Sequence, residues 1–368
     1  MVKATDVFVV GGGPAGLATA IAARQRGLDV VVADGTQPPI DKPCGEGLMP
    51  DGRTALEELG IAIPQENSHP FRGICFVSGS LRVDASFPNG SGIGVRRTVL
   101  HRTMVARAEA AGALLLWQTP VTGLHPEGVL LGGRLVRSRW VVGADGGHSL
   151  VRNWAGLDRF ICDRTRFAFR RHYRISPWSD CMELHWGPQC QIYVTPVAAG
   201  EICVALISRD SHLRLDAALP AFPQLVSRLR GTEPSSVERG AISATCNLHR
   251  VYRGRVALVG DASGAVDAIT GEGLCLSFRQ AQVLAECFLA GNLQHYQQAH
   301  RELARRPALM ARLLLTLDWK TSFRQRVMRA FASDPRLFAR MLAMHVGALS
   351  PLDLTTNGLS LGWRLLSA

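Results

Sequence analysis

Gly11-Gly12-Gly13-Pro14-Ala15-Gly16 carries glycines at the G-x-G-x-x-G spacing, directly after the apolar run 6–10. At that spacing Gly11 serves the tight turn out of a strand and Gly13 lets the backbone approach a pyrophosphate. Gly16, behind Ala15, lets helix and strand pack closely. The helix that follows aims free N–H groups and its positive dipole end at phosphate oxygens. Asp34 closes the next apolar run, 28–33, where a carboxylate accepts the ribose hydroxyls of an adenosine half. Gly143-Ala144-Asp145-Gly146 and Gly260-Asp261-Ala262 also end or follow β-branched runs. The three glycine corners together outline a cradle for one long anionic dinucleotide.

Groups able to move protons sit in two glycine-rich loops. The Cys44 thiol, in the loop 40–50, can shape a pocket, donate a proton or bond covalently to a cofactor. Glu46 lies beside it; once desolvated, its pKa would rise and it would serve as an acid near neutral pH. Asp267, just before Gly271-Glu272-Gly273, can position a substrate or return a proton. Trp186, Tyr193 and Pro196 are candidate walls of a substrate pocket. His148, His172 and His249 have no partner at a useful spacing and read as structural or surface residues. Cys44, Cys75, Cys162, Cys181, Cys190, Cys203, Cys246, Cys275 and Cys287 are scattered, several within apolar runs. They read as reduced core thiols, and no CxxC or HxxxH spacing argues for a metal.

The elements that must hold these groups follow from the pattern. Residues 6–34 form a strand–helix–strand unit ended by Gly27 and Asp34. Helices are expected at 54–59 and 99–111, and hairpins between 71 and 91. Strands are expected at 114–118, 129–131 and 135–142. The stretch 165–250 is strand-rich, with runs at 167–175, 182–186, 191–195 and 201–207. A core strand at 256–259 precedes a helix at 274–289, and a helical tail begins at residue 294. With 368 residues, 47% of them hydrophobic, the chain can bury a large core in two interwoven domains. Charged residues are only 19%, which argues against long disorder. The net charge of +11 suits acidic partners: membrane surfaces, nucleic acid, or phosphorylated and carboxylated substrates. The run 301–340 mixes Arg with Leu, Met and Phe, a pattern that serves either a helix packing its apolar face on the protein or one lying on an anionic membrane. No apolar stretch nears the roughly 20 residues that span a bilayer. The expectation is a cytoplasmic protein without a nucleic-acid partner, with peripheral membrane contact through the basic C-terminal helices as an open alternative.

Gly143–Arg152 and Gly260–Gly264 resemble the second and third fingerprints of the FAD-dependent flavoprotein hydroxylase superfamily. That group holds aromatic hydroxylases, flavin halogenases, lycopene-cyclase-like proteins and geranylgeranyl reductases. Asp41-Lys42-Pro43-Cys44-Gly45-Glu46-Gly47-Leu48 resembles the reductases' KPCGGGL loop, with Glu46 in place of a glycine. Ala268–Leu274 resembles their TGEG turn. Gln191–Pro196 sits where they carry YxWxFP, keeping the tyrosine and lacking the Trp and Phe. The hydroxylases' proline pair is replaced by Asp267-Ala268, and the halogenases' WxWxIP is absent.

The resemblance implies FAD, held by Gly11, Gly13, Ala15, Gly16, Asp34, Gly45, Arg97, Asp145, Gly260, Asp261, Gly271 and Gly273. It implies an α/β fold with a Rossmann-like FAD domain (1–70, 96–164 and 251–291). A mostly antiparallel substrate sheet (71–95 and 165–250) and a C-terminal helical segment (292–368) complete it. It implies a monooxygenase that activates oxygen at flavin C4a and hydroxylates an apolar or aromatic, polyketide- or isoprenoid-like substrate. The alternative is a reductase saturating alkenes of a lipid-like substrate. From another class comes a non-catalytic FAD-binding protein that docks on membranes. There is no second complete dinucleotide fingerprint, so NAD(P)H would bind transiently or a separate reductase would supply electrons.

Overall fold

In the strand Ala4–Val10, Val7 and Val9 face one side, Phe8 and Val10 the other, and all four are buried. A strand covered on both faces belongs inside a parallel sheet. The computed structural model, which describes residues 3–163 and 165–349, places it there. The sheet runs Tyr252–Arg253, Val256–Leu258, Arg134–Gly143, Ala4–Val10, Val30–Ala33, Leu114–Leu116. All pairings on that path are parallel except the first. Val121–His125 and Gly128–Leu131 extend it as an antiparallel meander. The helices Pro14–Gln25, Arg97–Ala110 and Gly273–Ala290 cover one face, around Leu17, Ile21, Met104 and Phe278. Val129, Val136, Val151 and Leu157 close the other face.

The second large sheet has seven strands: Arg239–Ser243, Arg166–Tyr173, Glu201–Ser208, Cys190–Ala198, Cys181–Trp186, Gly73–Ser78 and Leu81–Ser86. It is antiparallel except where Cys181–Trp186 meets Gly73–Ser78. Alternation along Cys190–Ala198 gives it two apolar faces. Ile192 and Val194 face the short helices Leu215–Ala218 and Pro223–Leu229. Tyr193 faces the C-terminal helices Gln294–Trp319, Thr321–Ser333 and Pro335–His345. A small sheet of Gly47–Leu48, Gly92–Val95 and Ser68–Phe71 bridges the two bodies.

Element limits shift where local chemistry acts. The helix expected at 54–59 starts at Pro50, whose fixed φ and missing N–H suit a first helical position. The expected tail helices end at His345, and residues 350–368 of the expected C-terminal segment lie outside the described residues. One cysteine reading is corrected: Cys162 and Cys246 form a disulfide, with Cα atoms 4.1 Å apart. They lie directly opposite each other in antiparallel strands. Their separation of 84 residues gave no local cue. Among the described residues no helix is long and apolar enough to cross a membrane.

Candidate functional site

The three glycine corners meet. A Cβ built on Gly11, at φ +109°, would lie 2.4 Å from the Ala144 carbonyl oxygen. One built on Gly260, at φ +62°, would lie 2.6 Å from the Ala15 Cβ. The first corner therefore abuts both others, the second at the Ala144 backbone and the third through the Ala15 methyl, and a side chain at either glycine would force them apart. Asp34 pins the assembly: its Oδ2 accepts from the Gly12 N–H at 2.7 Å, and its Oδ1 accepts from the Thr36 N–H and hydroxyl. His101, which sequence reasoning passed over, donates Nε2–H to the Gly12 carbonyl at 2.9 Å from a fully buried position. Burial pushes its pKa down, so the ring is neutral. The cue was its place four residues after Arg97, on the same face of one helix.

The side expected to receive the dinucleotide is open where it must be. A Cβ at Gly13, Gly45 or Gly273 would meet no atom within 4 Å. Lys42 Nζ pairs with Asp261 Oδ2 at 2.6 Å, and both side chains are nearly half exposed. Arg97 begins the helix Arg97–Ala110, is 8% exposed, and its buried Nε has no partner. An unpartnered buried donor beside glycine-lined open space fits an anionic cofactor. Asp145 faces its own chain: its carboxylate accepts from the Ser149 hydroxyl and the Leu150 and Val151 N–H groups, capping the helix Leu150–Trp154. Gly271 has φ +69° and turns the chain into the helix Gly273–Ala290.

Glu46 is buried between the two bodies. Its backbone stands at φ +59°, a left-handed conformation that disfavours a residue with a Cβ. Its Oε1 accepts from the Arg97 N–H at 2.9 Å, and its Oε2 lies 2.6 Å from His172 Nε2. His172 Nδ1 lies near the Arg170 guanidinium and the Ser236 hydroxyl. A guanidinium only donates, so Nδ1 accepts and the ring proton sits on Nε2, pointing at Glu46. The reading of His172 as lone is thereby corrected; it is fully buried and joined to Glu46 across 126 residues. Asp41 of the same loop pairs with Arg170 and Arg239. Glu46, His172 and Cys203 also bring three donor atoms of metal-binding type within 4.8 Å of one another. The loop that carries Cys44 is thus bolted to the sheet, and Cys44 itself stays half-buried, its Sγ accepting from the Glu46 N–H at 3.4 Å.

Asp267 is also held by charge. Its Oδ1 accepts from Arg166 Nη1 at 3.0 Å and from the Ile269 N–H at 2.9 Å. Arg166 donates to Gln191, which donates to Asp318, which pairs with Arg209 near the surface. Next along the chain, Glu272 Oε1 accepts from Arg306 at 3.1 Å while its buried Oε2 has no partner. Burial pushes the Glu272 carboxyl up to about 8 against the pull of Arg306, with Asp51 adding to the rise.

Between the seven-stranded sheet and the C-terminal helices lies an apolar cavity lined by Phe76, Met182, Leu184, Tyr193, Leu314 and Phe338. Ile269 and Thr270, just before the Gly271 turn, also line it. Its polar groups are largely spent on that turn. The Tyr193 hydroxyl donates to the Ile269 carbonyl at 2.9 Å, and His345 Nε2 donates to the Thr270 carbonyl at 3.0 Å. Of the three expected wall residues only Tyr193 is there. Trp186 packs edge-on against Phe76, with the Arg324 guanidinium over its ring. Pro196 points to the other face of its strand, and its carbonyl abuts Gly94.

Residues 4–171 match the FAD binding domain family. A menaquinone reductase of Mycolicibacterium smegmatis is 28% identical over 324 residues, 80% of this chain and 78% of that protein. Digeranylgeranylglycerophospholipid reductase 1 of Methanopyrus kandleri is 30% identical over 303 residues, 73% of this chain and 76% of that protein. A flavoprotein/dehydrogenase from Cytophaga hutchinsonii superposes with a TM-score of 0.81 at 20% identity, covering 93% of each chain. The converging glycine corners, the unpartnered arginine and these likenesses carry one conclusion: the chain is an FAD-dependent oxidoreductase of the superfamily that unites flavoprotein hydroxylases and geranylgeranyl reductases.

Proposed function

We propose that this chain is a reductase that adds two hydrogens across a carbon–carbon double bond in a long apolar, isoprenoid-like substrate. The carrying observation is the apolar cavity that ends on Ile269 and Thr270, beside the turn that opens the helix Gly273–Ala290. A cavity walled by apolar side chains, with its Tyr193 hydroxyl and His345 Nε2 bonded to backbone and the His345 Nδ1 left as a buried polar atom without a partner, favours a mainly hydrocarbon substrate over a polar aromatic acid. The named activities of the reductase relatives point the same way.

FAD, when bound and reduced, would supply hydride at its N5. Gly11, Gly13, Ala15, Gly16, Asp34, Gly260 and Asp261 would hold its dinucleotide part. Arg97, Gly45, Gly271 and Gly273 would approach its ring system. Asp145 caps the helix beside that groove and would shape it through its backbone. The cavity lining keeps water from the double bond and holds the chain against the Ile269–Thr270 floor. Cys44 is the protic group of the loop that no ion pair engages, so we assign proton return to its Sγ. Glu46 and Asp267, each held by cationic or imidazole donors, position the Cys44 loop and the Ile269 turn.

The test is anaerobic turnover of a prenyl-alcohol panel by the FAD-loaded protein with chemical reductant, read by product mass. Gain of two hydrogens per double bond is expected, with Cys44→Ser lowering the rate and leaving FAD bound. A product carrying a new oxygen, formed only in air, would establish the monooxygenase reading instead.

A further inference from the structure

The helix Gln294–Trp319 has two apolar faces. Met310 and Leu314 line the cavity described above. On the opposite side Leu309, Leu313 and Trp319 are 38%, 44% and 52% exposed. Arg305 and Arg312 are exposed beside them. At about 100° per residue, positions 305, 309, 312, 313, 316 and 319 fall within one third of the helix circumference. They form one solvent-facing stripe that ends at exposed Lys320. Trp319 carries the Arg209 guanidinium over its ring, 5.1 Å from the centroid.

The charge around the stripe is one-sided. Residues 294–349 contain ten Lys and Arg against three Asp and Glu, more than half of the whole chain's excess of +11. Asp318 is buried and already paired with Arg209, so it does not offset the surface. Arg305, Arg312, Arg326 and Arg329 are all exposed, and none meets a carboxylate among the described residues. A core-facing helix places its large apolar residues inward and its arginines in water. Here leucines and a tryptophan share the outer face with the arginines. That combination fits the headgroup zone of an anionic bilayer, where arginines meet phosphate and the apolar side chains enter the acyl boundary.

We infer that the Arg305–Trp319 stripe docks this protein on an anionic lipid surface, with the cavity on the inner side of the same helix. The inference stands on the surface itself and does not require the proposed reaction.

The test uses the FAD-loaded full chain and flotation on vesicles of phosphatidylcholine, with or without phosphatidylglycerol. Binding is expected only with the anionic lipid. It should collapse at about 1 M salt, where screening reaches within about 3 Å. Arg305→Gln with Arg312→Gln should weaken partitioning about thirtyfold, from the two lost headgroup contacts. Leu309→Ser with Leu313→Ser should weaken it at least tenfold, from lost apolar burial. Arg137→Gln, at an exposed arginine of the parallel sheet, should change it little. All three variants sit on exposed positions, and circular dichroism melts check that they fold. Absence of binding, equal binding to both vesicles, or stripe variants that bind like the parent would overturn the inference. So would a parent that is dimeric by light scattering and made monomeric by the leucine variant, since the stripe would then be a self-association face. Turnover of short, water-soluble prenyl alcohols tests the reaction separately: vesicle binding without turnover would sink only the proposed function.

Discussion

Glu272→Gln should abolish a loss of stability that the parent suffers between about pH 6 and pH 8. Glu272 is 2% exposed, and its Oε2 is buried without a partner. Burial is the largest influence on it and raises the carboxyl from 4.5 to about 8. The folded protein therefore keeps a proton here that the unfolded chain releases near pH 4.5. The stability this group leaves intact is complete below the unfolded value. It is lost progressively as pH rises, and the loss stops once pH passes the folded value. At 1.36 kcal/mol per unit, the interval from pH 6 to pH 8 costs about 3 kcal/mol. At about 2 °C per kcal/mol for a chain of this size, that is about 6 °C of melting temperature. Glutamine keeps an oxygen for Arg306 and does not titrate, and Asp51 still holds Arg306 at 2.9 Å. The assay is thermal melting of the FAD-loaded parent and variant across buffers from about pH 5 to pH 9. Between pH 6 and pH 8 the gap between the curves should widen by about 6 °C, and beyond pH 8 it should stay constant. Parallel curves would refute the reasoning, because Glu272 would then be ionised in the folded state throughout.

Other outcomes follow from the same geometry. His300 and His345 are held neutral by burial, with pKa values of about 4. Their stabilisation is complete above their ordinary 6.5 and is lost as pH falls through 4, so the acid limb of the melting profile should flatten in His345→Asn. Gly16→Ala would place a Cβ 1.9 Å from the Gly11 carbonyl oxygen and should abolish FAD retention while costing about 1–3 kcal/mol of stability, read by gel-filtered absorbance and melting. Leu314→Trp fills the cavity and should raise KM for long prenyl substrates with little change in FAD affinity, read by steady-state kinetics on a chain-length series. Reduction of the Cys162–Cys246 disulfide, or Cys162→Ser, opens a loop of 84 residues and should cost about 4 kcal/mol, read as a lower melting temperature in reductant.

What was legible in the sequence was what backbone sterics and period-two burial dictate locally. The turn at Gly11 and the alternation of Val7, Phe8, Val9 and Val10 need no distant partner to be read. The side-chain constellations are assembled by strand pairing across the chain, and there local reading ran out. Glu46 and His172 meet only because Arg166–Tyr173 crosses beneath the Cys44 loop, so His172 looked solitary. The available cue was Glu46 itself, a charged residue where the resembling loops carry glycine. It holds a left-handed backbone conformation that its buried partners must offset. Cys162 and Cys246 escaped for the same reason.

The pocket wall shows how far a single strand can be trusted. Tyr193 and Pro196 are three residues apart in Cys190–Ala198, and an odd spacing sends them to opposite faces. Once Tyr193 is assigned to the cavity, alternation alone excludes Pro196. It also puts Gln191 and Thr195 on the Tyr193 side. Both are buried there and spent on holding neighbours, Gln191 in the Asp267-to-Arg209 chain and Thr195 on the Gly45 carbonyl. The cavity face of this strand therefore offers hydrocarbon and an already bonded phenol, flanked by polar groups that hold the Cys44 loop and the Ile269 turn in place. That division of labour makes long-chain selectivity separable from flavin binding. Changes at Leu314 should move the first alone, and changes at Thr195 or Gln191 should disturb the loop and turn that border the second.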